Sequence, residues 1–360
     1  IFSYIGLQKS FSEKRKEEFY LLLMLATLGA AMMVISTHFI SFFVSLELLS
    51  VSLYSLIGYY RERSSAIEAA FKYLILAATS GAFLLFGMAL IYSVSGTMYF
   101  PDLVTTPPLL TSYATLMLGA GIGLMLVGIG FKLGVVPFHM WTPDVYEGAS
   151  SPATMFIATI SKGAMVALLL RLFMMAELYR YEKIVWILTG ISILSMLGGN
   201  LLALWQNNIK RILAYSSIGH FGYLLIAVIV GRKIGVEIAT FYLTIYMIAL
   251  LAAFGIITLV STADAEITDL KEYEGMFWNR PFLATIFTLV LLSLAGIPLT
   301  AGFMAKYFLL IVGIGDAKCV LVFVLVVSSV IGLFYYLRII ITSVNPTGTP
   351  FTQIGRGAWR

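Results

Sequence analysis

Apolar runs of about twenty residues follow one another along the chain, each closed by a short stretch of Pro, Gly or charged side chains. A run of that length suits an α-helix crossing about 30 Å of hydrocarbon, where every backbone amide must find its partner inside the protein. The pattern predicts ten spans, at 19–36, 38–60, 65–94, 112–138, 152–173, 184–205, 207–230, 236–261, 281–314 and 317–342. The expected fold is therefore all-α, a polytopic transmembrane helical bundle.

The spans divide into two sets of five, and the fourth of each set holds an internal proline, Pro137 in one and Pro298 in the other. Five spans per set turn the second set upside down relative to the first, which is the organisation of inverted-repeat transporters. Expected boundaries are a basic segment at 1–18, a first five-helix repeat at 19–175, an inverted second at 176–342 and a polar tail at 343–360. Proline lacks an amide donor and clashes with the preceding turn, so each break frees carbonyls that water or a charged group must satisfy. A simple kink accounts for the prolines equally well from periodicity alone.

Composition adds to the picture: of 360 residues, 60% are hydrophobic and 11% charged, and the mean hydropathy is +0.96. The net charge of +5 sits in short loops, the pattern that orients membrane helices rather than one that binds nucleic acid. Alternating sides through ten spans places thirteen of the loop Lys and Arg on the amino-terminal side and six opposite. Both ends are then expected in the cytoplasm, or in an organelle's matrix or stroma. The chain opens at Ile1 with no basic, apolar and small-residue cleavage pattern, so no signal peptide is expected. With a lone Cys319 and three scattered histidines, no zinc, haem or iron–sulfur spacing exists, and neither a metal site nor a redox cofactor is expected in this chain.

Five charged residues fall inside apolar runs: Glu47, Lys72, Lys132, Lys162 and Lys306. A charge at membrane depth costs at least a few kcal/mol, so it marks an ion pathway or a buried pair. Lys132 precedes one break by five residues and Lys306 follows the other by eight. Glu47 is the one acid deep in a span, and it is open to a structural salt bridge or a proton-pathway role. Lys162 is near mid-span, with Arg171 available as the interfacial anchor. Lys72 has Glu68 four residues before it, a favourable helix pair that makes a satisfied near-surface lysine the competing reading. At an effective dielectric of about 20, a pair at about 4 Å is worth roughly 4 kcal/mol, comparable with the ~2.3 kcal/mol needed to move one charge against 100 mV. Moving a carboxylate towards a lysine can therefore switch that lysine between holding and releasing a proton.

His139, after the first break, and His220, mid-span near Ser216, Ser217 and Tyr223, could relay protons, though a hydrogen-bonded packing role fits His220 as well. His38 lies at a span boundary and reads as interfacial. Gly128, Gly130 and Gly134 lie in an apolar helix with no preceding strand and read as close helix packing rather than a nucleotide loop.

The stretch GFKLGVVPFHMWTPDVYE at 130–147, followed by SPATMFIATISKGA at 151–164, resembles subunit N of NADH-quinone oxidoreductase, the NADH dehydrogenase subunit 2 of respiratory complex I. So do SLELLS at 45–50, NIKRILAYSSIGHFGYL at 208–224, LSLAGIPLTAGFMAKYFL at 292–309 and GLFYYLRI at 332–339. The resemblance runs from about Phe19 to Thr342. Related antiporter-like subunits read closer to WLPDAH where this chain has WTPDVY at 141–146, and one of them carries glutamate where this chain has Lys306. Both differences favour subunit N.

The resemblance implies that Glu47 and Lys132 form the paired switch of a first half-channel and approach one another. Lys162 bridges on the central axis, and Lys306 gates the second half-channel, with Lys72, His139 and His220 in support. It also implies that NADH, FMN, iron–sulfur clusters and quinone belong to partner subunits, and that the neighbours are other membrane-arm subunits, both antiporter-like and small, in a bacterial cytoplasmic membrane. The bacterial pattern has three further helices before the first span and one after the last; incomplete coverage is the expected reason that this chain shows neither. A subunit of a cation/proton antiporter is the competing expectation, and a purely structural scaffold the third.

Overall fold

The computed structural model describes residues 3, 4, 6, 13–105, 112–261 and 266–346, with backbone alone at 13–15 and 104–105. Lys9, Arg356, Arg360 and most of the 343–360 tail lie outside the described residues, as do the side chains of Lys14 and Arg15. The chain builds helices α1 (Glu13–Ile35), α2 (Phe39–Ile57), α3 (Ser64–Ser95), α4 (Ser112–Leu133), α5 (Trp141–Gly148), α6 (Ser151–Met175), α7 (Glu182–Leu204), α8 (Ile209–Val230), α9 (Arg232–Val260), α10 (Pro281–Ala295), α11 (Ala301–Gly315) and α12 (Cys319–Val344). Among the described residues nine helices are long and apolar enough to cross a membrane, and the shorter α10 and α11 share the predicted ninth span.

The helices pack closely as α1 with α2, α3 with α4 and α7 with α8, while α12 lies on α7. Small residues permit this. A Cβ on Gly199 would lie 2.6 Å from the Gly219 amide, and one on Gly128 would lie 2.7 Å from Leu84. In α6 and α8, 89% and 94% of the apolar window is buried, against 28% in α1. Polar side chains on α6 and α8 therefore face protein, which is what an intramembrane charge requires.

Each set pins the start of its second helix to the loop after its third. Phe39 N donates to Met98 O at 2.9 Å, and Ile209 N to Thr268 O at 2.8 Å. His38 and Asn208 cap these helices, each side chain accepting from an amide of the first turn. His38, the expected interfacial residue, is thus an N-cap.

Both breaks have one geometry. Gly134 (φ +70°) and Gly296 (φ +82°) end α4 and α10 in the left-handed region. Val135 N donates to Gly130 O and Gly134 N to Phe131 O; Ile297 N donates to Leu292 O and Gly296 N to Ser293 O. This is the Schellman closure, with proline placed just beyond it. Glycine, not proline, terminates each helix. The reading of Gly134 as helix packing is corrected accordingly, since a positive φ is open to glycine at no steric cost. The predicted 112–138 span ends at Leu133 for the same reason.

Candidate functional site

Carbonyls in the last turn before each break accept from side-chain donors. Trp141 Nε1 donates to Phe131 O at 2.8 Å. At the second break Lys306 Nζ donates to Leu294 O at 3.1 Å and Ala295 O at 2.9 Å. A helix interrupted inside a membrane is tolerable only with such partners, so Lys306 serves the break's backbone as well as carrying charge.

Lys132, in the last turn of α4, is 3% exposed. Its ammonium donates to Ser50 Oγ at 3.0 Å and Tyr73 OH at 2.9 Å. Glu47 lies one turn before Ser50 on α2, half-buried, and acts on Lys132 through space. The expected approach stops short of contact: among the described residues no ion pair joins the two, and the lysine rests on the hydroxyls instead.

Lys162 is fully buried. Its ammonium donates to Ser217 Oγ at 3.1 Å and faces the rings of Trp141 (5.5 Å), Tyr146 (5.3 Å) and Phe221 (5.0 Å). No carboxylate pairs with it among the described residues. Ring faces attract a cation without removing its ability to release a proton. A π-helical turn, Ile157–Ser161, immediately precedes it, and such bulges frequent functional sites.

From Lys162 the contacts run along one face of α8, where Ser217, His220 and Tyr223 recur every third residue. His220 Nδ1 lies 2.6 Å from Tyr242 OH and Nε2 lies 3.3 Å from Tyr336 OH. Lys306 Nζ lies 5.2 Å from the Tyr223 ring. His220, Tyr242, Ser293 and Lys306 line a cavity of about 10 Å³, at the lower limit for a single water. Towards Lys132 the link is aromatic: the Tyr73 and Trp141 rings are 4.9 Å apart. The structure therefore brings Lys132, Lys162, His220 and Lys306 onto one buried axis, with Glu47 at its edge.

Two expected supporting residues lie off that axis. Lys72 is exposed, paired with Glu68 and Asp144 at 2.8 Å each, as the near-surface reading requires. His139 sits half-buried in the turn after Gly134, where burial holds its imidazole below the usual range against an opposing contact at Pro137.

Sequence reasoning missed a polar cluster on the amino-terminal side. Arg211 reaches Asp144 at 3.0 Å and Glu147 at 2.7 Å. Lys210 is fully buried and bonded to Glu266 at 2.8 Å and to Ala149 O and Glu147 O. Burial pushes the Glu266 carboxyl up, but Lys210 outweighs it and holds the group low. At Asp144 burial is likewise outweighed, by Lys72 and Arg211. The available signal was opposite charge, with Asp144 and Glu147 between two spans and Lys210 and Arg211 at the start of another.

The family described as NADH:quinone oxidoreductase/Mrp antiporter, TM, matches residues 36–332. The chain belongs to this family. An NADH-quinone oxidoreductase subunit N from Ectopseudomonas mendocina (strain ymp) is 46% identical over 91% of the chain and 66% of its own length. The subunit N of Chromohalobacter salexigens is 47% identical over 92% and 69%. The chain thus spans about two thirds of the length of these curated relatives. Among solved structures, respiratory complex I from Thermus thermophilus with bound aureothin contains a chain of the same fold, with TM-score 0.81, 32% identity and coverage of 98% of this chain and 79% of that one. A chain of the Mrp complex from Dietzia sp. matches with TM-score 0.82 and 26% identity, over 91% and 61%. This antiporter-family chain is an integral membrane protein.

Proposed function

We propose that the chain is a proton-translocating membrane-arm subunit of NADH-quinone oxidoreductase, moving protons along the Lys132, Lys162, His220 and Lys306 axis while partner subunits reduce quinone. One observation carries the reading: three lysines are buried beside two broken helices with hydroxyls, ring faces and carbonyls around them and, among the described residues, no carboxylate in contact. A structural charge is normally paired, whereas a lysine that must load and unload a proton needs neutral partners. Glu47, half-buried at the edge and coupled to Lys132 through space, is the group whose approach would change that lysine's charge. The relatives' names support the assignment to subunit N.

The hydride and electron chemistry of NADH, FMN, iron–sulfur clusters and quinone belongs to partner subunits, which leaves this chain the proton path. Its neighbours are antiporter-like and small membrane-arm subunits in a bacterial cytoplasmic membrane, with both described ends on the cytoplasmic side. Residues 19–175 and 176–342 form inverted repeats; the matched Schellman breaks and the matched ties at His38 and Asn208 support this division. The likeness to an Mrp chain favours a second reading, a cation/proton antiporter subunit. Affinity purification from native membranes decides between them. Flavin and iron–sulfur subunits should co-purify with NADH-driven proton uptake into vesicles; their absence, with sodium/proton exchange in place of it, would establish the antiporter.

A further inference from the structure

Beside the axis, a groove of about 740 Å³ opens between α4 and the carboxy-terminal half of α6, a volume typical of a ligand site. On α4 its wall includes Leu118, Gly119, Ile122, Met125 and Ile129, a stripe at helical spacing. With Thr115 at its outer end, the stripe extends for about 20 Å, which exceeds the ~15 Å hydrocarbon depth of one leaflet. Leu169, Leu172 and Phe173 of α6 form the facing wall. Met125, Ile129 and these three are each less than a tenth exposed, so this is a cleft rather than an ordinary lipid-facing surface.

The mouth of the groove is polar and carries both signs. Arg180, Glu182 and Lys183 line it, and Glu177 holds Arg180 at 2.8 Å. Among the described residues Glu182 and Lys183 form no ion pair, and both are exposed. An apolar cleft one leaflet deep, rimmed by free charges of both signs, matches an amphipath whose head is itself zwitterionic.

We propose that this groove binds one phospholipid of the amine-headgroup class. The phosphate sits against Lys183 and Arg180, the ammonium faces Glu182, and one acyl chain lies along the α4 stripe. Its inner end reaches Ile129, one turn from Lys132 on the same helix, so the hydrocarbon keeps water from reaching that lysine through the groove. The site stands independently of the proton-translocation reading, because lipid retention is measured without any turnover.

The test fills the groove. A Cβ at Gly119 meets nothing within 4 Å, so Gly119→Trp directs its ring into the cleft without displacing a helix. The membrane complex containing the chain is purified, washed in mild detergent, and its phosphatidylethanolamine and phosphatidylglycerol are counted by mass spectrometry of the extract. The wild type should retain one more phosphatidylethanolamine per complex than Gly119→Trp. Lys183→Ala, which leaves the cleft intact, should weaken retention about two- to fivefold, the worth of an exposed ion pair. Equal retention in wild type and both variants, phosphatidylglycerol in its place, or a polypeptide segment lying in the groove of the assembled complex would each overturn the site.

Discussion

Replacing Lys162 with methionine should separate stability from function. The substitution keeps the unbranched stem and removes the ammonium. What is lost is one charged hydrogen bond to Ser217 at 3.1 Å, worth about 1.5–3 kcal/mol. Ring faces at 5.0–5.5 Å go with it, worth about 1–2 kcal/mol together when desolvated. What is gained is relief from burying an ion that no carboxylate offsets, a penalty of several kcal/mol. The two sides cancel to within about 2 kcal/mol. Thermal unfolding of the purified complex should therefore move by only a few degrees in either direction, and subunit assembly should be normal. NADH-driven acidification of inverted vesicles, followed by a pH-sensitive dye, should collapse together with coupled quinone reduction. Normal proton yield and turnover in Lys162→Met would refute the axis at its centre. A complex that fails to assemble would show instead that the ammonium holds the fold.

Gly296→Ala places a side chain at φ +82° and a Cβ 2.9 Å from Lys306 Cδ. The strain alone costs about 1–2 kcal/mol, and the displaced lysine should lower activity more than stability, read as quinone reductase rate against melting temperature. Glu266→Gln leaves the buried Lys210 cation on carbonyls alone and should destabilise by about 2–4 kcal/mol, with Lys210→Met in the same chain recovering most of it; a single variant that melts like wild type would count against a buried pair. Glu266 and Asp144 are both held below their unfolded values of 4.5 and 3.8. Their contribution is thus fully present above those values and lost as pH falls through the lower folded ones. Acid unfolding should accordingly narrow the gap between wild type and Glu266→Gln as pH drops below about 4, and a gap independent of pH would contradict the linkage.

Run length and hydrophobicity carried the spans, because the hydrocarbon thickness dictates both. The breaks were visible as Gly and Pro near 134–137 and 296–298, but their cause was misread. Proline is conspicuous, whereas the helix is terminated by the left-handed glycine before it. Lys132, Lys162 and Lys306 were legible as apolar-run charges. The aromatic shell of Lys162 was not, since Trp141, Tyr146 and Phe221 come from two other helices and only the fold assembles them. Periodicity also misses the π-turn, because its five residues look like any other apolar helical stretch. Lys72 shows the limit of depth arguments: eight residues after the start of a 32-residue helix, its side chain still faces outwards to Asp144.

The lysines along the axis share one sign, and Glu47, at the margin, opposes them. A row of like-charged sites fills anticooperatively: a proton on one raises the cost of a proton on the next. The lowest-energy loading patterns are then alternating ones, and releasing the middle proton favours loading at both ends. Under the proposed proton translocation, a disturbance at Glu47 would accordingly travel as an inversion of that alternation, with no single ion traversing the whole length.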